Sequence, residues 1–254
     1  MSAKNIIVFD IETKGNREEA LALAEPFPLF EPLPPFNPVM VKLGNIKDAA
    51  KIEAKIEAER IAYPQKVKEH QETYEREREE YVAKITSKAA LSALTGKVVA
   101  IGIKTSDKEM ILEGDECKIL DQFWQLYRSS QLSNLSPEET FVGWNISGFD
   151  VPFMIRRSWK LGVLIPPDVF DGRYLNRCFV DLMTMFGCGE YGYKIKLDTV
   201  AKYLGVPGKY TGDCTGEMFA DKFLSGDKEA RVQAEEYLKC DIRVTWAIAE
   251  KIFQ

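Results

Sequence analysis

The stretch Ile6-Ile7-Val8-Phe9-Asp10-Ile11-Glu12 decides how the rest of the chain is read. It is a short apolar run rich in β-branched and aromatic residues, and its first breaker is Gly15, which predicts a buried strand over residues 4 to 12. Strand side chains alternate between the two faces. Asp10 and Glu12, two apart, therefore project from one face at the end of an otherwise apolar strand. Paired carboxylates call for counter-charge, and hard divalent cations such as Mg²⁺ or Mn²⁺ prefer oxygen ligands. Taken alone, the pair reads equally well as a strand running out into an acidic turn.

Moving outward, Lys97 to Ile103 and Glu109 to Leu112 form the next strand pattern, a hairpin around Ser106-Asp107-Lys108. The chain before it has a different character. Six of the twelve prolines lie in Pro26 to Pro38, interleaved with Phe27, Phe30 and Phe36. That composition forbids a helix and favours extended, polyproline-like chain. Lys47 to Lys88 carries ten positive and ten negative side chains, with Pro64 as its breaker. Two charged helices are expected, one with a stripe at Ala49, Ile52, Ile56 and Tyr63, the other with Val67, Tyr74, Tyr81 and Ile85. Residues 16–95 thus read as an insertion, a Pro-rich segment plus a charged helical hairpin, within a single domain spanning 1–254.

Beyond the hairpin, the pattern predicts a helix over Asp115 to Arg128 and a strand from Glu139 to Trp144. A helix follows over Ser147 to Leu161, then a short Phe179 to Met183 segment and a helix over Leu197 to Leu204. The last helix is long, is capped by Asp227, and recurs apolar at Leu238, Ile242, Trp246, Ala249 and Phe253. Strands followed by mixed helices and strands indicate an α/β domain.

Composition narrows the class. The chain has 254 residues, 34 Lys plus Arg against 39 Asp plus Glu, a net charge of −5 and 45% hydrophobic residues, as in soluble globular proteins of one or two domains. Met1 to Asn5 runs straight into the first strand, too short and too soon charged for a signal peptide, and no apolar run approaches the ~20 residues of a membrane helix. The five cysteines are odd in number, scattered and without a CxxC pair, so neither a disulfide framework nor a zinc site is indicated. A reducing cytoplasm and no membrane are expected. The acidic balance argues against broad electrostatic capture of nucleic acid but leaves room for a local basic groove beside an acidic centre.

Two further clusters carry chemistry. In Trp144-Asn145-Ile146-Ser147-Gly148-Phe149-Asp150 a strand gives way to a helix, with Asp150 in the first turn, where it serves as a dipole-stabilised cap or as a metal ligand. In Tyr237-Leu238-Lys239-Cys240-Asp241 a spacing of four puts phenol and carboxylate on one helix face. Arg156, Arg157 and Lys160 read as a solvated basic face or as phosphate contacts. Tyr193, Lys194 and Lys196 interleave aromatic and cationic groups, as strand-binding segments do.

Asp-x-Glu, Asn-x-x-x-Phe-Asp and Tyr-x-x-x-Asp, in this order, resemble the 3′-to-5′ exonucleases of the DEDD superfamily, and most closely its tyrosine subgroup. Within it the chain is similar to the proofreading exonuclease domains of family B DNA polymerases and their free-standing, often phage-borne relatives. The resemblance covers about residues 1 to 14 and 97 to 254, not the insertion. It implies a ribonuclease H-like α/β fold, a mixed central sheet flanked by helices. It also implies a two-metal phosphodiesterase using two divalent ions, Mg²⁺ or Mn²⁺, about 3.5 to 4 Å apart.

Carried over by position, Asp10 would bridge both ions, Glu12 and Asp241 would complete the shell of the first, and Asp150 would hold the second. Tyr237 would orient the attacking water, because a phenol with a pKa of about 10 is a poor base at neutral pH. Phe149 and Asn145 match positions that meet the terminal nucleotide; their plainer roles are a core aromatic and a turn residue. The histidine subgroup places an imidazole where this chain has Glu236, and the only histidine, His70, lies in the insertion, where solvent exposure is expected.

The expected substrate is the 3′ end of single-stranded or frayed DNA, in the cytoplasm or that of a phage-infected host. The alternatives are RNA 3′ ends or a non-catalytic binding module of the same fold. The insertion is read as a clamp on a strand, as a protein-binding hairpin or as a simply solvated one. Asp181, in a Val-Asp-Leu context, reads as a structural hydrogen-bond acceptor, and Asp198 as favourable charge at a helix start.

Overall fold

A computed structural model of the chain describes residues 6–131, 140–172, 174–175, 177–190, 192–208 and 210–254. Of the expected elements, residues 4 and 5 of the first strand and Glu139 of the fourth lie outside this set. By contacts the chain divides into two compact units, residues 1–19 with 89–254, and residues 20–88.

In the larger unit, the opening heptapeptide lies in β1 (Ile6–Gly15), the centre of a five-stranded sheet. β1 pairs antiparallel with β2 (Gly96–Lys104), which pairs antiparallel with β3 (Glu109–Leu112). On its other edge β1 runs parallel to β4 (Thr140–Gly143), itself parallel to β7 (Phe179–Asp181), giving the order β3-β2-β1-β4-β7. A separate two-stranded ribbon joins β5 (Phe170–Asp171) to β6 (Tyr174–Leu175). The helices are α1 (Arg17–Leu23), α2 (Ala49–Ser87) in the smaller unit, α3 (Glu116–Gln131), α4 (Asp150–Leu161), α5 (Leu182–Phe186), α6 (Leu197–Leu204), α7 (Gly216–Phe223) and α8 (Lys228–Ile252).

Alternation along β1 explains the layers. Ile7, Phe9 and Ile11 enter a core with Phe123 and Trp124 of α3 and Phe153 and Met154 of α4. Ile6 and Val8 face the other way, into a core with Val200 of α6 and Ile242 and Ile248 of α8. A mixed sheet covered by helices on both faces is the ribonuclease H-like architecture that the motifs imply. Asp10 and Glu12 continue the α8-facing row, opposite Gly102 and Ala100, and the register slips just after Glu12. At Gly102 a Cβ would stand 2.9 Å from Leu238 Cγ and 3.2 Å from Ile242 Cγ2. The bare backbone there is what lets α8 lie against the sheet beside the two acids.

Several readings change. The helix expected from Ser147 begins at Asp150, because residues 145–149 form a turn in which Asn145 has φ of 60°. Helix α7 was not anticipated; short and flanked by glycines, it nonetheless buries Phe219 and Phe223 with Val99, Ala100 and Leu238. Arg157 is neither a solvated cation nor a phosphate contact. It is 4% exposed and binds Glu116 through Nε at 2.8 Å and Nη2 at 2.6 Å, while Lys160 pairs with Glu19 at 2.6 Å. The segment 89–95, read as part of the insertion, belongs to the larger unit, where Asn16 N–H donates to Thr95 O at 2.7 Å.

The smaller unit corrects the expected helical hairpin. One helix, α2 (Ala49–Ser87), runs 39 residues through Pro64 with no buried residue, so the Arg60 carbonyl that loses its partner at Pro64 keeps access to water. The Pro-rich segment straps this helix on both sides of the proline. Tyr81, Tyr74, His70 and Tyr63 bond the carbonyls of Glu25, Pro28, Glu31 and Pro34, with 3.0 Å at Tyr74 and 2.9 Å at His70. Phe27 packs on Tyr74 and Tyr81, Phe30 on Tyr74 and His70, and Phe36 on Tyr63. The carbonyls recur every three residues. Nine residues of polyproline chain span about 28 Å, and the eighteen helical residues from Tyr63 to Tyr81 about 27 Å, so the two repeats stay in step. His70 is thus a strut of this strap, more covered than expected.

Candidate active site

The site collects at the end of β1. Glu12 is 9% exposed, Asp150 3% and Asp241 6%, while Asp10 is half-buried. Asp10 comes from the strand itself, Asp241 and Tyr237 from the face of α8 held down by Leu238 and Ile242, and Asp150 from the first turn of α4. β4 stops pairing with β1 at Val8, leaving the later amides of that edge without a strand, and Asp150 Oδ1 accepts the Ile11 N–H at 3.1 Å. The third acid is therefore tied to the residue between the first two.

Electrostatics show the same crowding. Burial pushes the Asp150 carboxyl up to about 7, against the Ile11 hydrogen bond, and the charge of Asp181 adds to the rise. The Tyr237 phenol is pushed above its ordinary value by burial first, then by the charges of Asp241, Glu12 and Asp10. It is held in place by Phe219 and Tyr210, and its hydroxyl lies 3.4 Å from where a Cβ on Gly216 would stand. Tyr237 is a neutral hydroxyl in this field. Glu236 forms an ion pair with Arg243 at 2.5 Å.

Asp10 and Asp241 line one wall of a cavity of about 640 Å³ whose other walls include Trp144, Asn145, Lys194 and Lys196. Trp144 is fixed there by its indole N–H, which donates to Ile195 O at 3.1 Å. Asn145 shapes the turn with its positive φ and lines this cavity. Phe149 packs on Phe153 at 5.4 Å beside the α3/α4 core, and also borders a separate hollow with Arg156 and Leu91.

Four carboxylates with no sulfur or imidazole among them make an all-oxygen donor set suited to a hard divalent cation. Burial is the main reason the Asp150 carboxyl resists ionisation, and a cation bound beside it would favour its charged form. Among the described residues, no three His, Cys, Asp or Glu side chains stand together in an arrangement that could hold a metal ion. The expected ligands share a neighbourhood, with the Asp150 carboxylate turned onto the β1 backbone.

One residue carries more than its motif suggested. Asp181, 6% exposed, accepts from Asn145 N and Ser147 N at 3.0 Å each, and also from Met183 N at 3.0 Å and Thr184 N at 3.4 Å. An Asp directly before a helix signals the cap of α5 in the sequence. The grip on the 145–147 turn crosses from β7 to the loop after β4 and has no local signature.

The sheet and its flanking helices are those of a PolB-type exonuclease domain. The chain belongs to a family described as predicted 3′-5′ exonucleases related to the exonuclease domain of PolB, whose model matches residues 79–252. β1, with Asp10 and Glu12, lies outside that matched span. An uncharacterized protein of Methanocaldococcus jannaschii is 26% identical over 162 residues, covering 62% of this chain and 86% of the relative. A DNA polymerase of Archaeoglobus fulgidus is 28% identical over 166 residues, 61% of this chain and 20% of the polymerase. The solved family B DNA polymerase of Pyrobaculum calidifontis superimposes with a TM-score of 0.50 at 26% identity, covering 64% of this chain and 22% of that one. The chain thus spans about a fifth of either polymerase. Among the described residues, no helix is long and apolar enough to cross a membrane.

Proposed function

We propose that this chain is a tyrosine-subgroup, two-metal 3′-to-5′ exonuclease that removes nucleoside 5′-monophosphates from the 3′ end of single-stranded or frayed DNA. The observation that carries the reading is the gathering of Asp10, Glu12, Asp150 and Asp241 at one strand end, beside a cavity lined in part by Trp144, Lys194 and Lys196. Lys194 and Lys196 would meet the phosphates, and Asn145 the terminal nucleotide, with Trp144 offering a stacking face. Asp10, Glu12, Asp150 and Asp241 would hold the divalent ions, Mg²⁺ or Mn²⁺. Bound there, such ions make water a better nucleophile and neutralise developing charge.

The protein's own groups do the rest. Tyr237, kept neutral by burial and by three carboxylates, holds water by hydrogen bonding and does not take its proton. Water oxygen bonds to phosphorus and gives up its proton to solvent, the bond from phosphorus to the 3′-oxygen breaks, and that oxygen takes a proton from solvent. Glu236, occupied by Arg243, is not offered as a base, which supports the tyrosine assignment.

The test is 5′-labelled single-stranded DNA and the matching RNA, with Mg²⁺, Mn²⁺ or chelator, and Asp10→Ala as control. A metal-dependent ladder shortening from the 3′ end of DNA, absent in the control, is expected. A ladder on RNA alone would reassign the substrate, and intact strands under both metals would remove the nuclease assignment.

A further inference from the structure

The turn between β4 and α4 must present Asn145 to the cavity and Asp150 to β1, yet it is built on an awkward backbone. Asn145 sits at φ of 60°, a region that non-glycine residues rarely occupy. Within the turn, Gly148 N and Phe149 N both bond Asn145 O at 3.0 Å, and Val151 N bonds Ile146 O at 3.0 Å. These bonds fix its shape but not its place. Ile146 fills the space above Gly143, where a Cβ would stand 2.2 Å from Ile146 Cγ2. The remaining anchor comes from outside the segment: the Asp181 carboxylate, with Oδ1 on Asn145 N and Oδ2 on Ser147 N. Gly143 and Asp181 are register partners in β4 and β7, so the grip is applied directly beside the point where the strand ends.

We propose that Asp181 is a positioning residue, which sets the Asn145–Asp150 turn against β1 so that Asp150 meets the Asp10 and Glu12 pair in a geometry that holds a divalent ion. The inference rests on the exonuclease reading for its chemistry, but its own content is mechanical. One carboxylate joins the N-terminus of α5 to the turn, and the turn hands its last residue to Ile11 N–H. The plain alternative is that Asp181 only caps α5.

Asp181→Asn separates these. Asn is as good a helix cap as Asp, so its amide oxygen can keep Met183 N–H and Thr184 N–H. Its amide nitrogen would then face Ser147 N–H, donor against donor, so of the two bonds to the turn only the one from Asn145 N–H survives and the two-point grip is lost. The comparison control is Glu116→Gln, a buried change on α3 away from the turn. Mn²⁺ binding is read by isothermal titration, cleavage by kcat and KM on single-stranded DNA, and folding by circular dichroism. Expected for Asp181→Asn is a folded protein with Mn²⁺ affinity lowered at least about tenfold and kcat lowered by a similar factor, while Glu116→Gln, assayed below its melting range, keeps both.

Wild-type Mn²⁺ affinity and kcat in Asp181→Asn would overturn the proposal and leave Asp181 as a helix cap. Equal losses in the two variants would overturn it as well, as general loosening. A wild-type protein that binds Mn²⁺ but does not cleave would count against the exonuclease reading alone, and the Mn²⁺ isotherms would still decide the role of Asp181. A wild-type protein that binds no Mn²⁺ would overturn both. If Asp181→Asn does not fold, Asp181→Glu, which keeps two acceptor oxygens but carries them one methylene further, is read the same way.

Discussion

Gly102→Val tests whether the closeness of α8 to the sheet is what assembles the acids. A Cβ at this position would meet Leu238 Cγ at 2.9 Å, Leu238 Cδ1 at 3.0 Å and Ile242 Cγ2 at 3.2 Å. Comfortable carbon contacts lie at about 3.5 to 4.0 Å, so even alanine asks for several tenths of an ångström, and valine's methyls ask for more. Leu238 and Ile242 are fully buried and have no empty side to swing into. The helix itself must retreat. Overpacking of this kind costs about 1–3 kcal/mol, read as a lower urea midpoint. Tyr237 and Asp241 flank Leu238 and Ile242 on the same helix, so the retreat carries them away from Asp10 and Glu12, and a misplacement of about 1 Å can cost on the order of 100-fold in rate. The expected order of turnover on single-stranded DNA is wild type, Gly102→Ala, Gly102→Val. Adding Leu238→Ala to Gly102→Ala should recover activity relative to Gly102→Ala alone, because it vacates the contested space. Full wild-type turnover in a folded Gly102→Val protein would refute the idea that this contact sets the site.

Tyr237→Phe should leave Mn²⁺ binding near wild type while lowering turnover at least about tenfold, since only the water-holding hydroxyl is removed; unchanged turnover would take Tyr237 out of the mechanism. Glu116→Gln should cost about 3 kcal/mol in urea denaturation, the low end for breaking a buried pair, because Glu19 stands 3.6 Å from Arg157 and keeps some compensation; a loss below about 1 kcal/mol would show the pair to be well hydrated. Glu109 bonds Arg243 and Lys104, and the Arg243 hydrogen bond holds its carboxyl below the ordinary value near 4.5. A carboxyl whose folded value is depressed stabilises above the unfolded value and loses that contribution as pH falls through the folded one. Glu109→Gln should therefore be less stable than wild type at pH 7, with the gap closing as pH falls below 4.5 and through the lower folded value; a gap that persists in acid would contradict the ion pairing.

The parts of the fold set by local pattern were legible. β1, the hairpin, α6 and α8 follow from runs of apolar residues and from caps such as Asp227, whose Oδ1 accepts Glu229 N at 2.8 Å. The motif residues converge because strand alternation and a helical spacing of four fix which side chains share a face. What could not be read depended on distant partners. Pro64 looks like a breaker until the strap is seen on both sides of it, and Arg157 looks like a surface cation until Glu116, 41 positions away, is brought beside it. Residues 147 to 149 read as helical, yet the turn they belong to is held by Asp181 from another strand. In each case a bond far along the sequence overrides a local preference.

The matched repeats of the strap and α2 have a consequence for how this arm can change length. A polyproline strand turns once every three residues, so removing a single residue between Phe27 and Phe36 would rotate every later phenylalanine about 120° off the helix. The aromatic partners on the helix advance in steps of seven and four, eleven residues for every six of strap, and eleven residues return to nearly the same face after about three turns. The arm behaves like a rack with teeth of fixed pitch. Lineages carrying it should differ by whole teeth, with helix and strap lengthened together, and an odd residue on one side alone should be met by a compensating change on the other.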